Sequence, residues 1–174
     1  MPTNGLLMVN TGNGKGKTTA ALGLAFRALG HNLPVCVIQF IKGTWKYGEL
    51  TSAERFDGLL EFHIVGKGFT WASQDPEADR QAAREGWELA KSFITAGTHH
   101  LLILDEFTYA IKFGMVEEAE VLATLRDKPE SLHILITGRD ASPALMEMAD
   151  LVTEMREVKH PFNTGTKAQK GIEF

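Results

Sequence analysis

The chain has 174 residues, of which 44% are hydrophobic and 23% are charged, so it can form one domain with a substantial core. Its formal net charge of -4 argues against a broad basic surface for nucleic acid, and its apolar runs are too short to cross a membrane. Cys36 is the single cysteine and lies in an apolar run, and the N-terminus lacks the pattern of a signal peptide. We therefore expect a cytoplasmic protein that binds neither nucleic acid nor membranes.

Short apolar runs alternate with helical patterns, which predicts a single α/β domain over residues 1–174 with a mainly parallel sheet. The runs are rich in Val, Ile and Leu with little alternation, which is typical of strands buried on both faces. The predicted strands are Leu6–Asn10, Val35–Phe40, Glu61–Val65, Leu101–Leu104, His133–Ile136 and Leu151–Glu154.

Helical spacing predicts helices between these strands, and the clearest helix begins at Pro76 and ends near Thr95. Asp75 is a good N-cap for it, Pro76 fits the first helical position, and Gly97 is a stop signal. The other predicted helices cover Ala20–Leu29, Glu117–Leu125 and Ser142 to about Ala149. The tail after Arg156 is predicted to be irregular and basic.

The segment TGNGKGKTT, from Thr11 to Thr19, lies between the first strand and the first helix and is typical of a phosphate-binding loop. Its glycines allow a sharp turn that presents backbone N–H groups to an anion, and the following helix directs its N-terminus at the same place. Thr11 replaces the first glycine of the usual pattern, and Lys15 adds a second cation. The expected ATP ligands in this segment are Gly12, Asn13, Gly14, Lys15, Gly16, Lys17, Thr18 and Thr19.

An apolar strand, Leu101–Leu104, is followed directly by the carboxylates of Asp105 and Glu106. Beside a phosphate loop this pattern favours a Mg²⁺ site, with the Thr18 hydroxyl as another oxygen ligand. The residues alone do not decide which carboxylate binds the ion. They also allow an ATPase in which Glu106 polarises a water molecule.

Ligands of open α/β sheets bind at the carboxyl ends of the strands, so the loops after the strands are expected to share one site. Arg139, after the fifth strand, could neutralise phosphate charge. Lys42 and Lys46 could meet phosphate or a carboxylate-bearing substrate, or simply be solvated. Phe69 and Trp71 lie two residues apart in GKGFTW, where they either form a flat apolar surface for a ligand or anchor the loop to the core.

The combination resembles the phosphate-loop type of ATP:corrinoid adenosyltransferase, the cob(I)alamin adenosyltransferases of bacterial cobalamin synthesis and salvage. GNGKGKTT together with QFIKGTW and GFTW is the most specific part, because generic phosphate-loop ATPases do not share that set. The resemblance begins at residue 11 and extends to the C-terminus. The matching segments are TGNGKGKTTAALG, RALGH, VIQFIKGTW, GFTW, LDEFTY, ITGR, VKHPF and KAQKGIEF.

The resemblance implies a RecA-like phosphate-loop NTPase fold, a mainly parallel sheet with helices on both faces, usually in a homodimer. It implies that Co(I) of cobalamin or a precursor corrinoid attacks the ribose C5′ of ATP, so that the whole triphosphate leaves. A reductant must supply Co(I) from Co(II). Because Co(I) is already a powerful nucleophile, no general base is required.

The resemblance also implies roles for individual residues. Lys17 is the expected catalytic cation, and Lys15, Mg²⁺ and Arg139 add positive charge beside the leaving triphosphate. Glu106 and Thr18 are the implied Mg²⁺ ligands, with Asp105 behind them.

The aromatic loop gains a role from the same resemblance. Phe69, Thr70 and Trp71 are implied to contact the corrinoid. Phe69 and Trp71 pack against the corrin and displace its lower axial ligand, which makes the resulting four-coordinate Co(II) easier to reduce.

Two departures from the family are expected to matter. Longer members carry an N-terminal helix that helps to cover the corrinoid, whereas here the first strand is predicted within a few residues of Met1. The corrinoid site is therefore expected to be more open, or closed by a partner subunit or the tail. The family binds its triphosphate in the reverse direction to ordinary phosphate-loop enzymes, and we hypothesise that this is why Thr11 can replace glycine.

Two other functions remain as alternatives at this point. One is a phosphate-loop ATPase or kinase acting on the terminal phosphate of ATP. The other is a nucleotide-dependent corrinoid carrier that delivers its ligand without catalysis.

Overall fold

The computed structural model describes residues 4–41, 47–56, 58–66 and 75–173. The strands in this part of the chain are β1 (Leu7–Thr11), β2 (Val35–Gln39), β3 (Leu60–Ile64), β4 (Leu101–Asp105), β5 (His133–Thr137) and β6 (Leu151–Glu154). The helices are α1 (Lys17–Leu29), α2 (Gly48–Ala53), α3 (Pro76–Ala96), α4 (Phe107–Lys112), α5 (Glu118–Arg126) and α6 (Pro143–Met148). Short 3-10 turns cover Glu54–Phe56 and Pro161–Thr164.

The six strands form one sheet in the order β3-β2-β4-β5-β1-β6, and every strand pairing described is parallel. The predicted mainly parallel sheet is therefore confirmed. Each strand begins and ends within about one residue of its predicted bounds. Because the strands are parallel, all six carboxyl ends lie at the same end of the sheet. The loops after β1, β2, β4 and β5 are therefore gathered there.

Two hydrophobic clusters cover the two faces of the sheet. Leu102 and Leu104 of β4 belong to one cluster, with residues of α3 to α6, whereas Leu101 and Ile103 belong to the other, with residues of α1. Successive side chains of a strand point to opposite faces, so this division puts helices on both sides of the sheet. Every residue of β4 is buried.

The two edge strands differ from the sequence prediction, which expected all strands to be buried on both faces. All four residues of β6 are exposed, and the residues of β3 are only partly buried, apart from the exposed Glu61. The prediction was wrong for these strands because neither hydrophobic cluster contains a buried residue of β3 or β6, so their faces are not covered as those of the central strands are. Apolar composition in LVTE therefore did not indicate burial.

The longest helix follows its sequence signals. The Asp75 carboxylate accepts a hydrogen bond from Ala78 N at 3.0 Å, and Gly97 ends the helix with a left-handed φ of 59°. The face formed by Ala83, Trp87, Ala90 and Ile94 is buried.

Other helices differ from expectation. The predicted loop after β4 contains α4, and α2 was not predicted. No helix among the described residues is both long and apolar enough to span a membrane.

Candidate nucleotide site

The first helix begins inside the glycine-rich segment. Helix α1 starts at Lys17, three residues earlier than predicted, and Gly16 precedes it with a φ of 119° that only glycine adopts readily. The first turn therefore contains Lys17, Thr18 and Thr19, whose backbone N–H groups have no carbonyl partner within the helix. These residues line a cavity of about 660 Å³, so the positive end of α1 faces a space large enough for a nucleotide.

Lys17 is the cation held inside the loop. The residue is only 6% exposed, and Nζ donates to the carbonyl oxygens of Gly12 and Gly14, both at 2.8 Å. Burial lowers the pKa of the Lys17 ammonium below the ordinary value of 10.5, Glu106 opposes this shift, and Arg139 adds to it. The ammonium is thus fixed by two neutral acceptors, and a bound anion would meet it without a rearrangement of the side chain.

The glycines of the loop are also required by the chain segment that follows β6. Gly12 has a φ of 92°, and a Cβ atom there would lie 2.5 Å from the Met155 carbonyl oxygen. Met155 N donates to Thr11 O at 2.8 Å, and Gly14 N donates to Met155 O at 2.6 Å. The Gly14 amide is therefore engaged by the protein itself.

Thr11 has a place of its own in the fold. It is the last residue of β1, it is buried, and its Oγ1 accepts a hydrogen bond from Ala141 N at 3.2 Å. The hydroxyl therefore connects the phosphate loop to the start of α6, and a glycine at this position would lack that bond.

Asp105 is the centre of a buried polar network behind the loop. The residue is 1% exposed, and Oδ1 accepts hydrogen bonds from Thr18 Oγ1 at 2.7 Å and Thr137 Oγ1 at 2.8 Å. Oδ2 accepts a bond from Gln39 Nε2 at 3.0 Å. Three strands and α1 are thereby connected through one carboxylate, and the Thr18 hydroxyl is held in one orientation.

Glu106 lines the cavity because the backbone turns sharply after β4. Its φ of 59° and ψ of 23° are left-handed, which is uncommon for a residue with a Cβ. Its backbone N–H donates to Thr137 Oγ1 at 2.9 Å, and the next residue, Phe107, is fully buried between Phe40 and Trp87. Packing of Phe107 therefore holds the unusual backbone conformation that presents Glu106 to the cavity.

The oxygen donors beside the loop fit Mg²⁺. The ion prefers hard oxygen ligands and is usually bound by one or two carboxylates, with water and substrate phosphates completing its shell. The Thr18 hydroxyl and the Glu106 carboxylate both line the cavity, and Asp105 lies behind Thr18.

Arg139 reaches the cavity from the loop after β5. Gly138 before it has a φ of 140°, and a Cβ atom at that position would overlap the Thr108 hydroxyl. Thr108 Oγ1 donates to Arg139 O at 2.7 Å, which fixes the backbone of Arg139 against α4. Arg139 is exposed and lines the cavity, to which it adds positive charge.

Lys15 lies on the outer side of the loop and is engaged by the C-terminal tail. Its Nζ forms an ion pair with the Glu173 carboxylate and donates to Ile172 O at 3.1 Å. Tail residues line the same cavity as the loop, among them His160, Phe162 and Glu173. The tail, predicted to be irregular, therefore forms part of the cavity wall.

The structure brings most of the predicted site residues together. Asn13 to Thr19 line one cavity with Glu106 and Arg139. Gly12 does not line the cavity but is bonded to Lys17, and Asp105 likewise is bonded to Thr18. The predicted corrinoid residues Phe69, Thr70 and Trp71 lie outside the described residues, as do Lys42 and Lys46.

Sequence reasoning did not identify Gln39, Thr137 or Thr108. Gln39 and Thr137 are polar residues at the last position of buried strands, β2 and β5. That placement is a signal that could have identified both of them, because these strand ends meet at the ligand-binding edge.

Comparison with known proteins identifies a family. The model of the family described as ATP:corrinoid adenosyltransferase BtuR/CobO/CobP matches residues 3–174. The chain is 45% identical to a corrinoid adenosyltransferase of Sinorhizobium sp over 172 residues, covering 98% of this chain and 80% of that protein. It is 45% identical to a corrinoid adenosyltransferase of Pseudomonas aeruginosa, covering 98% of this chain and 84% of that protein. It is 44% identical to a corrinoid adenosyltransferase of Escherichia coli K12, covering 98% of this chain and 86% of that protein.

A solved structure supports the fold. The flagellar accessory protein FlaH of Methanocaldococcus jannaschii aligns with a TM-score of 0.62 at 14% identity, covering 87% of this chain and 71% of that one. At this identity the likeness concerns the fold alone. Together with the strand order, it confirms the predicted RecA-like arrangement.

Proposed function

The chain belongs to the ATP:corrinoid adenosyltransferase family and transfers the adenosyl group of ATP to a corrinoid, and we propose that the transfer proceeds by direct attack of Co(I) on the ribose C5′ of ATP. The cobalt electron pair forms the Co–C5′ bond, the C5′–O bond breaks, and its electrons remain on the departing triphosphate. The observation that carries this proposal is a cavity among the described residues that Lys15, Lys17 and Arg139 all line. Three cations suit a leaving group that carries the charge of a whole triphosphate.

The phosphate loop supplies most of the catalysis in this proposal. A preorganised cation stabilises charge that develops in the transition state without reorganising at that moment. Lys17 meets this requirement, because its ammonium is buried and held by Gly12 and Gly14. The free N–H groups of the first turn of α1 add to the same field. Asn13, Gly16 and Thr19 line the cavity and complete the proposed ATP site with these residues.

Mg²⁺ is the proposed cofactor, with Thr18 and Glu106 as the residues that would hold it and Asp105 as the group that orients Thr18. Bound there, the ion would neutralise part of the triphosphate charge. Asp105 itself accepts three hydrogen bonds from protein donors, which supports a positioning role rather than direct ligation.

The corrinoid is proposed to contact Phe69, Thr70 and Trp71, and topology supports this location. These residues follow β3, whose carboxyl end lies on the same edge of the sheet as the phosphate loop. Gly66 N donates to Gln39 O at 3.3 Å, and Gly66 packs so closely on Phe40 O that a Cβ atom would overlap it. The last described residue before these three, Gly66, therefore lies at the carboxyl end of the sheet, where the active site is proposed.

Replacing the aromatic residues tests that role. We expect Phe69→Ala and Trp71→Ala to leave the affinity for ATP unchanged and to slow adenosylation when Co(II) corrinoid and a reductant are supplied. The reason is that the lower axial ligand would remain bound, which keeps Co(II) hard to reduce. Rates equal to those of the unmodified protein in that assay would rule the role out.

We further propose a homodimer in the cytoplasm and an external reductant that delivers Co(I). These proposals rest on the resemblance of the motifs to the family. The reductant is required because the reaction consumes one Co(I) for each ATP.

The proposed reaction has a direct product test. The protein is incubated without oxygen with Mg-ATP and chemically reduced cobalamin, and phosphorus NMR is recorded together with the corrinoid absorption spectrum. Adenosylcobalamin and tripolyphosphate in equal amounts are expected. Orthophosphate would instead support action on the terminal phosphate, and binding without turnover would support a carrier.

A further inference from the structure

The C-terminal segment, residues 157–173, is held loosely over the nucleotide cavity. Its apolar residues Val158, Phe162 and Ile172 are 81%, 74% and 69% exposed, and none of them belongs to either hydrophobic cluster. Most of the hydrogen bonds within it join residues that are close in sequence, such as the bond from Asn163 Nδ2 to Glu157 Oε1 at 2.9 Å. Yet Phe162 and Ile172 line the same cavity as the phosphate loop. A segment with little buried apolar surface can leave its place at low cost.

Lys15 connects this segment to the phosphate loop. The Lys15 ammonium forms an ion pair with the Glu173 carboxylate and a hydrogen bond with Ile172 O. The two side chains of the pair are 40% and 26% exposed, so water screens their attraction. In an exposed pair of this kind, a more highly charged anion can readily replace the carboxylate as the partner of the ammonium.

The two lysines of the loop have different kinds of partner. Lys17 is held by neutral carbonyl oxygens, which a triphosphate does not have to displace. Lys15 is held by a carboxylate, which carries the same sign of charge as a phosphate. A triphosphate that uses Lys15 must therefore compete with Glu173 for one ammonium.

We propose that Glu173 occupies Lys15 when no nucleotide is bound, and that the triphosphate of ATP displaces it. Glu173 is then a residue that sets the affinity for ATP, and the end of the tail at Ile172 and Glu173 releases Lys15 when the nucleotide binds. This inference rests on the proposed function, because it assigns Lys15 to the triphosphate.

Calorimetric titration of the full-length protein with Mg-tripolyphosphate tests the competition. Glu173→Gln keeps the shape of the side chain and removes its charge. Since exposed ion pairs contribute little, we expect tripolyphosphate to bind about twofold to fivefold more tightly to this variant. Glu147→Gln, on the exposed face of α6 and away from the cavity, is the matched control for the change in net charge and should bind as the unmodified protein does.

A double variant separates the contact from a general charge effect. In a Lys15→Gln background, Glu173→Gln should no longer improve binding, because the ammonium for which the two anions compete is gone. Unchanged or weaker binding by Glu173→Gln alone would overturn the inference, and so would an equal gain in the Lys15→Gln background. The proposed function is judged separately, by formation of adenosylcobalamin, so the two can fail independently.

Discussion

The inner and outer sides of the phosphate loop are built in opposite ways. On the inner side, Thr18 is bonded to Asp105 at the buried end of β4, Lys17 is held by the carbonyls of Gly12 and Gly14, and Lys17 and Asp105 are almost inaccessible to water. On the outer side, Lys15 meets Glu173 through an exposed ion pair. The difference indicates that one side is prepared for catalysis before ATP arrives, whereas the other side can exchange its partner.

The energetic contrast follows from burial. Removing the acceptor of a buried hydrogen bond leaves its donors unsatisfied, at a cost of about 1–3 kcal/mol. Losing an exposed ion pair costs about 0.2–1 kcal/mol. Substitutions on the inner side should therefore affect both stability and activity, whereas those on the outer side should mainly adjust ligand affinity.

The largest effect is expected from Lys17→Met. It removes the preorganised cation beside the leaving triphosphate, and loss of one such donor typically lowers kcat by about 10²–10³-fold. The measurement is kcat at saturating ATP with chemically reduced cobalamin, with circular dichroism to verify folding. Lys15→Met is the matched control on the outer side of the loop, and its kcat should fall far less. Equal losses in the two variants would abolish the contrast between the two sides.

Asp105→Ala should destabilise the fold by about 1–3 kcal/mol, because the side chains of Thr18, Thr137 and Gln39 lose their common acceptor. The free energy of unfolding in urea measures this change. The exposed Asp127, at the end of α5, provides a control, and Asp127→Ala is expected to change stability by less than about 0.5 kcal/mol. A similar small change for Asp105→Ala would show that the buried network contributes little.

A smaller effect is expected when pH is raised, both on the stability of the fold and on the affinity for tripolyphosphate. Burial lowers the pKa of Lys17 below 10.5, so in the folded protein this ammonium loses its proton at a lower pH than in the unfolded chain. Its charge opposes folding at neutral pH, and this opposition decreases as pH rises above the folded pKa and is gone once pH exceeds the unfolded value of 10.5. Affinity for tripolyphosphate should fall through the same window, before pH 10.5.

Calorimetric titrations between pH 7 and 10 check this dependence. Lys17→Arg should remove the decline, because a guanidinium keeps its proton throughout the range. A decline of the same size in Lys17→Arg would assign it to another group.

The sequence predicted the sheet and the inner side of the loop well. Apolar runs such as that of β4 identify buried strands, and the GKT pattern identifies Lys17 and Thr18, because both signals are local. Edge strand β6 was predicted to be buried because its apolar composition does not reveal whether other elements cover its faces. The contact between Lys15 and Glu173 could not be predicted, because the residues are far apart in the chain and meet on the surface, where no periodic pattern constrains them.

The most direct measurement of the central claim follows the bond that breaks in ATP. ATP carrying ¹⁸O in the bridge between C5′ and the α-phosphorus is converted with Mg²⁺ and chemically reduced cobalamin, and the phosphate products are analysed by mass spectrometry. Attack of cobalt at C5′ predicts that tripolyphosphate retains the label and that adenosylcobalamin forms in equal amount. Orthophosphate without adenosylcobalamin, or tripolyphosphate without the label, would contradict the account.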